Sequence, residues 1–314
     1  MSRSVAVVGA GLAGVAAAGA LAARGFVVTL LDKSPRVGGR MATRRVEVPG
    51  LGLATFDHGA QRLIDDSPDA TNFLAAGPGL TTWGVDATGR PVYCSPGGMR
   101  AAVERLAAGL PLAVEVRTAA RVTGVFWDES GWVVAAADRT ERFDWLVLTP
   151  PLPQALDLLG NMRADLDPAL AAVQYTRCVA LLAAGRGETR LPAGGGVWLD
   201  TEPLRAVVDN HLKGVSAVGP AVTIHAAAGA SESLWDEPDD VVTARMLGWA
   251  AEWVELAGPT TAVHRWRYNR PLTPWPEPCY AAPNRRLVLA GDAFGGPSLA
   301  GAYRSGLAAA EAVT

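Results

Sequence analysis

Lysine is almost missing from this chain of 314 residues, which has only Lys33 and Lys213. Positive charge is therefore carried by arginines scattered along the chain, and the formal net charge is −3. That distribution lacks the basic stripe that counterion release at a nucleic acid requires, so no nucleic-acid partner is expected. Cysteine is also scarce. Cys94, Cys178 and Cys279 stand far apart and form no CxxC pair, which leaves neither a disulfide framework nor a zinc site. The four histidines, His58, His211, His225 and His264, have no metal-ligand spacing, and no metal is expected. Long apolar runs are absent except at residues 5–23, which are all small or aliphatic. That run lacks the bulk of a membrane span and the basic start and cleavage site of a signal peptide, so a cytoplasmic chain without a membrane partner is expected.

What the run does contain is a dinucleotide turn. Residues 5–8 (VAVV) read as a buried parallel strand, and Gly9-Ala10-Gly11-Leu12-Ala13-Gly14 leads from it into an alanine-rich helix ending near Arg24-Gly25. Gly9 permits the tight turn, Gly11 lets the backbone approach a pyrophosphate, and Gly14 lets the helix lie close on the strand. The helix N-terminus then faces the phosphate charge. A second strand, residues 26–31, delivers Asp32 at about the 20-residue spacing from which an acid accepts ribose hydroxyls. With the Gly38-Gly39-Arg40 element that follows, the first 45 residues point to bound FAD.

Further along, residues 43–55 read as a loop and a strand returning to Phe56-Asp57-His58-Gly59-Ala60-Gln61. Residues 62–96 show no sustained helical period and read as an excursion. Gly97-Gly98-Met99 opens a helix to about residue 107. A three-stranded meander is expected from 112–115, 119–127 and 132–137, with a turn at Asp128-Glu129-Ser130-Gly131. Another buried strand covers 144–148, ended by Thr149-Pro150-Pro151, with a short helix at 154–159. Between 160 and 265 strands are expected at 178–184, 196–199, 204–209 and 221–225, with one strong helix at 238–256. A buried strand at 286–290, Gly291-Asp292 and a small-residue helix to Thr314 complete the chain. A hydrophobic fraction of 49% is enough for a sizeable core and two domains.

In this order, DKSPRVGGRMATRR, FDHGAQ, SPGGM, LVLTPPLPQALDLL, HRWRYNRP and LVLAGDAF resemble the bacterial renalase-like flavoproteins of the amine-oxidase superfamily, over nearly the whole chain. The resemblance implies an α/β fold: a split Rossmann-type FAD-binding domain with a mixed-sheet α+β substrate (cap) domain over the flavin. The FAD-binding domain is expected from residues 1–61, 97–159 and 266–314, and the substrate domain from 62–96 and 160–265. It further implies oxidation of 2- or 6-dihydro isomers of NAD(P), with hydride passing to the flavin and electrons to oxygen, giving hydrogen peroxide.

The expected cofactor residues are Gly9, Gly11, Leu12, Ala13, Gly14, Asp32, Lys33, Gly38, Gly39, Arg40 and Met41 from the first segment. Gly59, Ala60, Val122, Thr149, Gly291, Asp292, Leu299 and Ala300 join them from later ones. Arg40 offers a fork of donors to phosphate or flavin oxygen. Val122 matches the strand whose backbone meets the adenine. Asp292 is placed for the ribityl chain or a phosphate-bridged water, and the helix opening at Leu299-Ala300 aims its amides at the flavin pyrimidine. Asp57 reads as structural.

No catalytic acid or base can be assigned. The substrate-site candidates are His58, His264, Trp266 and Tyr268. Strand alternation puts the last three on one face as an aromatic floor, with Arg265 and Arg267 on the other as a basic rim or as solvated charges. His58 is either a flavin neighbour or a hydrogen-bonded structural imidazole. Two features depart from the family pattern: Arg62-Leu63 where an aromatic is common, and Ala300 where an acid often opens the helix. Three functions therefore stand open, namely a dihydronicotinamide oxidase with oxygen as acceptor, an amine oxidase or related dehydrogenase, and a non-catalytic flavin- or nucleotide-binding protein. The near-absence of lysine weakens the second, since many amine oxidases place a lysine near the flavin. A monomer or dimer is expected.

Overall fold

The computed structural model describes residues 3–128, 130–136, 139–199 and 201–314. Glu129 of the expected turn and Ala137 of the expected meander lie outside the described residues.

Strand β1 (Ser4–Val8) runs through the glycine turn into helix α1 (Leu12–Ala23) and strand β2 (Val27–Leu31). β1 and β2 pair in parallel, Val5 beside Val28, with α1 as the crossover that a parallel pair requires. A Cβ at Gly14 would come within 1.8 Å of the Gly9 carbonyl oxygen, so only glycine lets α1 lie this close. Residues 43–55, expected as a loop and one strand, fold instead as a hairpin of β3 (Thr43–Val48) and β4 (Gly52–Asp57), turned at Gly50 with φ +71°. Its polar outward residues hide the first strand from a search for apolar alternation.

The expected excursion is ordered. It holds β5 (Leu63–Ile64), α2 (Pro68–Ala75), β6 (Thr81–Val85) and β7 (Pro91–Cys94). Ser67 caps α2 by accepting the Ala70 amide, with Pro68 in the first turn, a start signal that apolar periodicity alone passes over. Phe73 of α2, Leu63 and Cys94 join Val5, Val28 and Met99 in one core, while Trp83 of β6 reaches Gly194 and Trp198 in the segment that follows.

Helix α3 (Met99–Ala108) leads to β8 (Val114–Arg117). β8 was expected in the meander but pairs in parallel with β2 at the edge of the main sheet. The meander is β9 (Val122–Asp128), β10 (Gly131–Ala136) and β11 (Arg139–Phe143), followed by β12 (Trp145–Leu148), which pairs with β1, and α4 (Leu152–Leu159).

The following segment holds β13 (Tyr175–Thr189), β14 (Gly196–Trp198), β15 (Leu204–Asp209), β16 (Ala221–Ala226), α5 (Ala228–Ser233), α6 (Asp239–Trp249) and β17 (Val254–Pro271). Its five strands pair antiparallel in the order β14-β15-β16-β13-β17. The helix expected over 238–256 stops at Trp249, because residues from Val254 onward are drawn into β17. That strand also runs straight through the expected domain boundary at 265/266. Phe56 and Ala54 of the hairpin pack against Leu182 and Ala221 of this sheet, binding the two halves together.

Strand β18 (Tyr280–Ala282), β19 (Leu287–Leu289), α7 (Asp292–Gly295) and α8 (Leu299–Ala312) return to the nucleotide half. Its six-stranded sheet has the order β18-β19-β12-β1-β2-β8 and is parallel except at β18. The carboxyl ends of β1, β2 and β12 open on one crevice, the place where open α/β sheets bind ligands. Among the described residues no helix is long and apolar enough to cross a membrane.

Candidate active site

A single cavity of about 1570 Å³ runs from Asp32 to the cap sheet. One small-molecule site needs roughly 300–1,000 Å³, so this volume accommodates a dinucleotide and a second molecule. Every expected cofactor residue lines it except Gly14, whose place is the contact between α1 and the β1 turn. At the nucleotide end the Asp32 carboxylate accepts the Ala10 and Ser34 amides, both at 2.7 Å, which fixes it beside the turn with lone pairs left for ribose hydroxyls. The Ala120 amide donates to the Asp32 carbonyl at 2.8 Å, bringing Val122 alongside. Thr149 spends its hydroxyl on the Val8 and Gly9 carbonyls, 2.9 Å each, so it braces the turn as well as lining the cavity.

Gly11 and Gly39 face each other across the phosphate end. A Cβ on Gly39 would lie 3.2 Å from the Gly11 Cα, whereas one on Gly11 would meet only the Gly39 Cα at 3.9 Å. The space above Gly11 is thus open in the protein itself, as a cradle for a pyrophosphate must be. Ser298 caps α8 by accepting the Gly301 amide at 2.9 Å, and Leu299 and Ala300 border the cavity. The residues present fit FAD.

Midway along the cavity Arg40 and Asp292 meet in a two-pronged pair, 2.6 Å on each prong, although 252 residues separate them. Burial pulls the Arg40 guanidinium down, but Asp292 more than offsets this and holds it above its ordinary value. Tyr175, which no motif marked, donates its hydroxyl to Asp292 at 3.3 Å, and burial followed by Asp292 pushes that hydroxyl up.

Beyond this pair lies the floor on which His58, His264 and Trp266 converge. The His58 ring stacks on Trp266 with centroids 5.4 Å apart and 22° between planes, and His264 meets both edge-on at 4.8 and 4.2 Å. Trp266 Nε1 and His225 Nε2 both donate to the His58 carbonyl, at 2.8 and 3.0 Å. Tyr268 lies further along β17, edge-on to Tyr175 at 5.7 Å. Burial, with His264 and His225 adding to it, pushes His58 down to about 3. Burial likewise takes His225 to about 4 and lowers His264. All three imidazoles are therefore neutral at pH 7, and among the described residues no carboxylate hydrogen-bonds to them. His58 Nδ1 is buried and has no hydrogen-bond partner among the described residues.

The expected basic rim is corrected at Arg265. Its guanidinium is held by the Trp235 and Glu237 carbonyls and by Asp239, on the far face of the sheet. Lys213 is not among the residues lining the cavity. Its ammonium is fully buried against Asp57 at 2.8 Å. Asp57 also accepts Thr43 Oγ1 at 2.6 Å and the Met99 amide at 2.8 Å, so hairpin, α3 and cap join at one carboxylate. Asp57 is structural, as its sequence context suggests.

The comparisons agree with this architecture. A model described as a NAD(P)-binding Rossmann-like domain matches residues 7–76, and one described as flavin containing amine oxidoreductase matches 79–314, three quarters of the chain. Putrescine oxidase of Kocuria rosea is 39% identical over 102 residues, 32% of this chain and 20% of the relative. L-amino-acid oxidase of Notechis scutatus scutatus is 56% identical over 48 residues, 15% of this chain and 9% of the relative. The chain thus matches a fifth or less of the length of these relatives. Among solved structures, a candidate protoporphyrinogen oxidase from Exiguobacterium sp. 255-15 superposes with a TM-score of 0.74 at 14% identity, covering 100% of this chain and 99% of the other. An oxidoreductase from Methanosarcina mazei gives 0.65 at 13% identity, covering 98% and 100%. These identities speak for the fold alone.

Proposed function

Because the chain belongs to the flavin containing amine oxidoreductase family, whose cofactor is FAD, we propose that it is a renalase-like oxidase accepting hydride from 2- or 6-dihydro isomers of NAD(P). The observation that carries this reading is the aromatic, uncharged floor of His58, Trp266 and His264, the first two stacked and the third edge-on to both. Amine oxidation needs a substrate nitrogen to lose a proton, whereas a dihydropyridine needs no base, since aromatisation to the pyridinium drives hydride loss. A neutral floor without a carboxylate suits the second chemistry.

When bound, FAD would supply the two-electron acceptor for this hydride, with oxygen and a solvent proton completing the balance to NAD(P)+ and hydrogen peroxide. Around it, Asp32 holds the adenosine ribose, and the α1 N-terminus with Gly11 and Gly39 receives the pyrophosphate. The Arg40–Asp292 pair orients the ribityl chain. The amides at Leu299 and Ala300, at the helix N-terminus, would favour negative charge on the bound flavin. His58 and Trp266 stack the nicotinamide and exclude water.

Anaerobic mixing with each dihydro isomer tests the reading. Flavin absorbance is expected to bleach far faster with the 2- and 6-dihydro forms than with ordinary NAD(P)H, and air is expected to restore it with peroxide formed. The likeness to putrescine oxidase favours a second reading, amine oxidation, and equal bleaching by primary amines would establish it instead. A flavin indifferent to every donor would leave only a binding role.

A further inference from the structure

Arg62 stands directly after the Gly59-Ala60-Gln61 stretch on the cavity wall, in a place where the family resemblance leads one to expect an aromatic ring. Its guanidinium lies 3.5 Å from the centroid of the Trp198 indole. That platform is braced: Trp198 meets Trp83 edge-on at 5.4 Å, and Trp83 Nε1 donates to the Gly194 carbonyl at 2.7 Å. The cation is thus held in one orientation by β5, β6 and β14 together.

Among the described residues no carboxylate pairs with it. Glu202, on the same wall, is committed to the Gly229 and Ala230 amides at 2.9 Å each. Asp86 is committed to its own turn, accepting the Thr88 and Arg90 amides. Arg205 lines the same stretch of cavity and donates to the Leu199 carbonyl at 3.1 Å. Burial lowers the Arg62 guanidinium below its ordinary value; Asp86 opposes this and Arg205 adds to it. Arg62 is thus half-buried and pre-oriented on the indole, with Asp86 acting on it only beyond ion-pair distance, so the N–H donors of its fork are left for a ligand.

We infer that Arg62, stacked on Trp198, docks an anionic oxygen group of the substrate, phosphate or carboxylate, at the end of the cavity remote from the adenosine site. The inference rests on the oxidase reading for the word substrate, and it deepens that reading. A dihydronicotinamide dinucleotide would place its pyrophosphate there, while a dicationic polyamine would be repelled. The flat guanidinium fork matches two oxygens of either anion, and the indole beneath it leaves one edge of the fork for the ligand.

Two non-reducing probes test it on the FAD-loaded protein: ADP-ribose for the pyrophosphate source and benzoate for the carboxylate source. Titration calorimetry, checked by the flavin difference spectrum, is expected to show R62Q binding at least one probe about tenfold more weakly than the parent. R62K keeps the charge but loses the fork, and is expected to weaken the same probe about threefold. Retained flavin and an unchanged melting temperature verify that each variant is folded. Weakening confined to ADP-ribose assigns the pyrophosphate, and weakening confined to benzoate assigns a carboxylate substrate. If neither variant differs from the parent for either probe, or the parent binds neither, the inference is wrong. Because neither probe reduces flavin, this outcome is separate from the bleaching experiment, and each can fail while the other succeeds.

Discussion

At the nucleotide end of the cavity the working groups are backbone amides, glycines and one carboxylate, nearly all from the first 41 residues of the chain. At the other end they are rings and guanidinium groups from the segment between β4 and β5 and from β13, β14, β16 and β17, assembled by the packing of two sheets. The first end tolerates no side chain at its contact points and is set by the backbone. The second depends on which side chains happen to meet, so it can change ligand without disturbing the fold. The difference explains why the cofactor is readable from the family while the substrate must be argued from this chain alone.

The sharpest way to break that contrast is at the glycines. Gly14→Val forces a side chain onto the Gly9 oxygen, where a Cβ would stand at 1.8 Å, and no folded protein is expected by circular dichroism. Gly11→Val is expected to fold, since a Cβ there meets the protein only at 3.9 Å, yet to purify colourless because the pyrophosphate's space is filled. Asp32→Ala is expected only to weaken FAD retention, by ~1.5–3 kcal/mol for a hydrogen-bonded charge. A yellow Gly11→Val protein would place the phosphate elsewhere.

Between the two ends, Lys213→Ala leaves Asp57 buried and unpaired. A loss of about 3–5 kcal/mol in unfolding free energy is expected by urea denaturation, with much of it recovered in the Asp57→Asn/Lys213→Met double variant. Equal stability of single and double variants would show that the pair contributes no coupling.

At the substrate end, Trp266→Ala is expected to slow anaerobic bleaching on the order of 100-fold, through misplacement of the reacting ring, while FAD stays bound. Tyr268→Ala, further from the His58 ring, is expected to slow it less. Loss of FAD from either variant would mean that the two ends are not independent.

A separate effect concerns pH. Unfolded, His58 takes up a proton near its ordinary 6.5; folded, only near about 3. Between those values the unfolded state binds more protons, so stability is full above about 6.5 and falls as the solution is acidified toward 3. His58→Phe is expected to flatten part of that slope in thermal melts. An unchanged slope would place the acid sensitivity in other groups.

Much of the nucleotide end was legible because its signal is local. The spacing of Gly9, Gly11 and Gly14, the strand before them and Asp32 after them are consequences of one strand, one turn and one helix in succession. Periodicity failed where tertiary contacts override it. β8 alternates like a meander strand yet is claimed by β2, and residues 254–256 continue a helical pattern yet are drawn into β17. α2 was missed because its signal is a cap, Ser67-Pro68, rather than a stripe.

By itself, then, the sequence determined the dinucleotide turn, the position of Asp32 at the end of the second strand and most of the strands, since each depends on the geometry of a few consecutive residues. Only the tertiary structure decided the pairings of Arg40 with Asp292, Lys213 with Asp57, Arg62 with Trp198, and His58 with Trp266. Those partners lie more than 130 residues apart along the chain. Contacts so remote leave no periodic trace in either partner's own segment, because they arise from where two sheets come to rest against each other.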